Sequence, residues 1–215
     1  MLKFGKNRQE NSNEWQASPP PLSPILNLIL QSSIALLAFM ALVFPATALP
    51  EDNKNGQPIQ PPYVPDNLRV PKDQVLLLKT LGSGVQIYDC KATATDPNTF
   101  IWTFRQPLAN IFGGGGNKNQ VGIHGRGPFW ASYDGSRITG SVKASLPSPD
   151  PLKNIPLLLL NATSNGSDGI FSHVNFVQRL DTKGGVAPIG ACNPNRTPSI
   201  AVPYSAFYYF YGNSP

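Results

Sequence analysis

The chain has 215 residues, with 23 Pro, 19 Gly, 10% aromatic residues, 40% hydrophobic residues and only 13% charged ones. That apolar share is enough to bury a core, which excludes a wholly disordered chain, and the low charge argues against a coiled coil or a long-helix bundle. Two Cys exclude a dense disulfide scaffold and a Cys-based zinc module.

From the amino end, Lys3, Lys6 and Arg8 make a basic start, and no charged residue occurs from Trp15 to Pro50. Ile34 to Phe44 is an unbroken apolar run, followed by the small-residue exit Ala46-Thr47-Ala48. This order predicts a secretory signal over residues 1–48, cut after Ala48. The alternative is an uncleaved membrane anchor over 25–44, a stretch of spanning length that Asn27, Gln31, Ser32 and Ser33 interrupt. The expected location is therefore secreted, extracellular or periplasmic, with no stable membrane partner after cleavage. Three of the 17 basic and two of the 12 acidic residues precede the cut, leaving a scattered +4. Such a balance is no footprint for nucleic acid. In an oxidising compartment Cys90 and Cys192 are expected to pair. Asn161, Asn165 and Asn195 open glycosylation sequons, which matter only in a eukaryotic host.

Residues 49–72 carry Pro, Asn, Gln and Gly without periodicity and read as a flexible linker. Short apolar runs then alternate with turn residues. Val75–Thr80 is closed by Gly82-Ser83-Gly84. Val85–Ala92 places Gln86, Tyr88 and Cys90 on one face and Val85, Ile87 and Asp89 on the other. Phe100, Trp102 and Phe104 form a period-two aromatic stripe. Phe129–Tyr133 and Arg137–Ala144 flank Asp134-Gly135-Ser136, a hairpin signal. Leu157–Leu160, Ile170–Leu180, Ile200–Val202 and Ala206–Tyr211 follow. No stretch keeps a helical period. Residues 73–212 are expected to form one all-β domain of about eight to ten strands, a single antiparallel β-sandwich or barrel-like fold.

Several blocks recur together in a known family. They are Leu81-Gly-Ser-Gly-Val-Gln-Ile-Tyr-Asp-Cys90, Gly122-Ile-His-Gly-Arg-Gly-Pro-Phe-Trp130 with Asp134-Gly-Ser, Phe176-Val-Gln-Arg-Leu-Asp-Thr182 with Gly184-Gly-Val-Ala-Pro188, and the closing Val202 to Tyr211. In this order, over about residues 63 to 211, they resemble the exported domain-of-unknown-function family numbered 3455. The resemblance implies export and a single domain, and it carries no activity with it.

The catalytic inventory after the cut is thin: His124, His173, Glu51 and nine Asp. Two distant His without a neighbouring Glu do not make a zinc site, so no metal is expected. Gly113 to Gly116 lead into Asn-Lys-Asn-Gln instead of a helix, so no dinucleotide and no other cofactor is expected. Ser83 lacks the spacing of a nucleophile elbow. Four residues are the candidate ligand-binding set: His124, Arg126 and Trp130, which lie close in sequence, and Gln178, which could join Gln86 in an interior polar network. His124 reads either as a ligand-binding or catalytic group or as a clamp that holds an irregular loop by hydrogen bonds, and the clamp is the expectation. The aromatics Phe207 to Tyr211 fall on both faces, suited to packing or to a stacking platform for sugar rings. The leading functional expectation is a non-catalytic binding or surface-interaction module for a polar polymer such as cell-wall or extracellular glycan. The alternative is an extracellular hydrolase that uses His124 with an Asp from another strand; a glycoside hydrolase would instead need two facing carboxylates, such as Asp89 with Asp134 or Asp181.

Overall fold

Period-two patterning builds a wall with one face inward, and here the wall closes on itself. The computed structural model describes residues 59–114 and 116–213. The expected leader at 1–48, its alternative as an anchor, and the first part of the expected linker lie outside those residues. Eight strands follow in order: β1 (Val75–Ala92), β2 (Phe100–Gly113), β3 (Gln120–Gly125), β4 (Phe129–Ser132), β5 (Arg137–Leu146), β6 (Leu157–Ser164), β7 (Val174–Gly184) and β8 (Ser199–Gly212). Each pairs antiparallel with the next, and β8 returns to β1, so the all-β antiparallel fold is an up-and-down closed barrel. The hairpin at Asp134-Gly135-Ser136 joins β4 to β5 as expected, with Gly135 at φ 92°.

Three local expectations fail for identifiable reasons. Gly82-Ser83-Gly84 does not end a strand, because β1 runs through it. These glycines serve close approach. A Cβ on Gly82 would meet the Tyr208 ring at 2.4 Å, and one on Gly84 would lie 2.2 Å from the Leu108 carbonyl oxygen. The Gly-rich stretch around His124 is likewise a strand, β3, where a Cβ on Gly122 would lie 2.1 Å from the Ala131 carbonyl oxygen. Ile170 and Phe171 belong to the loop before β7, and β8 continues unbroken through Pro203.

Two clusters of buried side chains result, one on each side of the wall. The interior holds Ile111, Trp130, Ile138, Leu160, Phe171, Val177, Tyr208 and Phe210 among others. The second lies outside, where Leu159, Leu180, Tyr209 and Tyr211 pack beneath Val64 and Leu68. Those two belong to residues 59–72, so this part of the expected flexible linker is instead a strap across the barrel, turning once through a 3-10 helix at Asp66–Leu68. Leu68 is fully buried. Cys90 and Cys192 are joined as expected, their Cα atoms 5.8 Å apart across a sequence separation of 102. The bridge ties the end of β1 to the long β7–β8 loop, which also bonds β2, the Cys192 N–H donating to the Phe100 carbonyl oxygen at 3.0 Å.

Candidate functional site

The four candidate residues do not converge. His124 and Trp130 face each other across the β3–β4 register and stack inside the barrel, ring centroids 4.4 Å apart and planes 18° from parallel. Both are buried. Arg126 is exposed in the β3–β4 turn and enters none of the ion pairs among the described residues. Gln178 points outward beneath the strap, where its amide donates to the Leu68 carbonyl oxygen at 2.7 Å and accepts from the Tyr211 hydroxyl at 2.8 Å. Gln86 is on the inward face of β1, so the wall separates it from Gln178 and the suggested pairing does not form. Gln178 and Tyr211 also line a groove of about 360 Å³ between strap and barrel, together with Pro62, Tyr63 and Arg69.

Burial dictates the chemistry of His124. Desolvation pulls its pKa down to about 3, against the opposing hydrogen bond to Phe129 and with some help from the Arg179 charge. The ring is therefore neutral, and its Nδ1 lies 2.7 Å from the Phe129 carbonyl oxygen, so Nδ1 carries the proton and donates it. His124 thus braces the short β3–β4 hairpin from within. No carboxylate pairs with it among the described residues. Asp89 pairs with Arg105 at 3.0 Å. Asp134 accepts from the Ser136 hydroxyl at 2.6 Å and the Ile170 N–H at 2.9 Å, which staples the loop before β7 to the hairpin. Those bonds, the Ser136 hydroxyl foremost, hold its carboxyl down to about 2. Among the described residues no group of three or more His, Cys, Asp or Glu gathers where it could hold a metal.

The terminal aromatics offer no platform either. Tyr208, Tyr209, Phe210 and Tyr211 are all buried, on alternate sides of the wall. An open aromatic surface exists elsewhere. β3 pairs with β2 only from Ala109 onward, and β4 pairs with β5 only up to Thr139. Above this short hairpin β2 and β5 do not pair, which leaves a notch between them; the far end of the β2 edge, at Phe100 and Ile101, is bonded by the β7–β8 loop. A bulge at Arg105 shifts the register so that Phe104 pairs with Tyr88 and Trp102 with Cys90, on the inward side. Lower down, that side of β2 is core, with Ile111 fully buried, yet Phe104 is 52% exposed. Tyr88 packs edge-on against Phe104 at 5.6 Å and donates to the Gly185 carbonyl oxygen at 2.6 Å.

Behind this notch the interior turns polar. Arg179 follows Val177 on the inward face of β7 and is the register partner of Tyr208. Tyr204 and Tyr208 bring their hydroxyls to 3.2 Å. Burial pushes the hydroxyls of Tyr88 and Tyr208 above the ordinary phenol range, and the Arg179 charge works against it. Strand alternation puts Gln178 and its neighbour Arg179 on opposite faces, and the expected site residue, the glutamine, is the outward one. The usable signal was parity: Arg179 is two residues from Val177, and Tyr204 and Tyr208 are four apart on a single strand.

A family model described as "Protein of unknown function (DUF3455)" matches residues 71–212. No curated protein and no solved structure matches the chain.

Proposed function

We propose that this chain, which belongs to the DUF3455 family of proteins of unknown function, is an exported, non-catalytic module that binds a polar polymer, a glycan, along the aromatic stripe of β2. The exposure of Phe104 carries the reading. A large aromatic ring stands 52% open on a face that is core elsewhere along the same strand. Fixed aromatic rings give sugar rings a flat apolar surface, while neighbouring polar groups serve the hydroxyls. Trp102 and Phe104 are held in the strand, so little conformational freedom is lost on binding. The hydrolase alternative has weaker support, because His124 is buried, neutral and bonded to a carbonyl oxygen, with no carboxylate paired to it among the described residues. Export would follow from the leader at residues 1–48.

Titration calorimetry against soluble plant, fungal and bacterial wall polysaccharides is the test. At least one glycan should bind, and Trp102→Ala or Phe104→Ala should weaken it about tenfold, as loss of one stacking contact implies. Both positions are partly exposed, so the variants should melt near the wild type. A glycan that binds both variants as tightly as the wild type would remove the stripe as the binding surface.

A further inference from the structure

Several hydrogen-bond donors on the inward side of the barrel lack an acceptor among the described residues. The Arg179 Nε and Nη2 donate to the Pro156 carbonyl oxygen at 3.1 and 2.8 Å, and no carboxylate pairs with this arginine among the described residues. A guanidinium has five N–H groups and no acceptor, so the Pro156 carbonyl and the neighbouring Tyr208 hydroxyl leave part of it unanswered. The Tyr204 and Tyr208 hydroxyls, 3.2 Å apart, use one of their two hydrogens between them, which leaves the other to find a separate acceptor. The Gln86 amide nitrogen and the Trp130 indole nitrogen are buried without a partner among the described residues. Buried polar groups are ordinarily paired, and a half-buried charge ordinarily has a counter-charge.

These groups adjoin one another. A Cβ built on Gly185 would touch Gln86 Cγ at 3.0 Å and Tyr204 Cβ at 2.9 Å, so the two side chains meet over that glycine. Tyr88 donates to the carbonyl of the same Gly185 and packs against Phe104 at the notch. Tyr208 lies 5.5 Å from Trp130. The exposed stripe of β2 thus continues, through Tyr88, to Arg179.

We propose that the interior behind the notch receives a carboxylate, that of a uronic acid residue in an acidic glycan, with Arg179 as its charge partner and Tyr204 and Gln86 as neutral donors. An anion there supplies the acceptors and the counter-charge that the interior lacks. The sugar part of this assignment rests on the glycan-binding reading, whereas the carboxylate part rests on Arg179 and its neighbours alone.

Galacturonate oligomers and neutral galactose oligomers of the same length distinguish the two parts. The wild type should bind the acidic oligomer about tenfold or more tighter, the scale of one charge-assisted hydrogen-bond pair. Arg179→Gln should erase that preference. Tyr204→Phe, which keeps the ring and removes only the hydroxyl, should reduce it and serves if the arginine variant fails to fold. Equal binding of the two oligomers, no binding of the acidic one, or a preference untouched by both variants would overturn the proposal. Acidic-oligomer binding that survives Trp102→Ala and Phe104→Ala but not Arg179→Gln would support the carboxylate site and sink the aromatic platform.

Discussion

The two sides of β8 bury the same kind of residue in different ways. Tyr208 and Phe210 face inward, where the closed wall surrounds them, and Tyr209 and Tyr211 face outward, where one strap covers them. Inside, burial follows from closure and is lost only when strands separate. Outside, it depends on Val64, Leu68 and the bond from Gln178 to the Leu68 carbonyl oxygen, and a local opening of residues 59–72 would end it. Equal exposure therefore does not mean equal coupling to global unfolding.

Replacing one buried residue on each side separates the two cores. Trp130→Ala removes the ring that stacks on His124 and touches both Tyr208 and Phe210, and the closed wall has little freedom to fill the gap. Chemical denaturation should register a loss of about 3–5 kcal/mol. A loss below about 1 kcal/mol would mean the interior relaxes as freely as a surface. Leu68→Ala should cost less, about 2–3 kcal/mol, because the strap can resettle or lift. Hydrogen exchange should then show faster exchange in the strap while β1 and β8 stay protected. Uniform acceleration throughout the barrel would mean that strap and barrel open as one unit.

The smallest effect per step is electrostatic and belongs to the interior alone. His124 stays neutral in the fold down to about pH 3, whereas its unfolded-state pKa is the ordinary 6.5. Between those values the unfolded chain binds a proton that the native state does not, so stability falls as pH drops, by at most about 1.4 kcal/mol per pH unit. His124→Ala should start from a lower stability at neutral pH and show a shallower decline across this window. An unchanged slope would show that the ring titrates normally in the fold. Asp134, held low, adds its own loss only toward the acid end, as pH falls through the ordinary carboxylate range to about 2.

Much of the wall was legible because alternation is a local property. The faces of β1 from Val85 to Asp89, the β4–β5 hairpin and the buried aromatics of β8 all follow from period two. The glycines were not legible, since a glycine that admits the Tyr208 ring and one that turns the chain look alike until the neighbour is known. β3 was hidden for the same reason. Within the site, the closeness of His124 and Trp130 followed from their closeness in sequence, although the strand that carries His124 did not show. The inward face of β7 did not, because Gln178 and Arg179 are equally polar and only closure decides which of them is enclosed. The strap was the least legible element. Its Val64 and Leu68 are isolated among Pro and polar residues, and the buried residues beneath them, Leu159, Leu180, Tyr209 and Tyr211, are far away in sequence, as the Gln178–Leu68 separation of 110 illustrates.

The strap also sets kinship and self-sufficiency apart. The family match begins at residue 71, after Val64 and Leu68. A chain trimmed to those borders would keep every strand yet leave Tyr209, Tyr211, Leu159 and Leu180 facing water on one sheet face. Contiguous apolar surface of that kind draws proteins into self-association. The shared stretch and the stretch that covers its own apolar face are therefore of different lengths, and the extra residues are the ones that carry no strand at all.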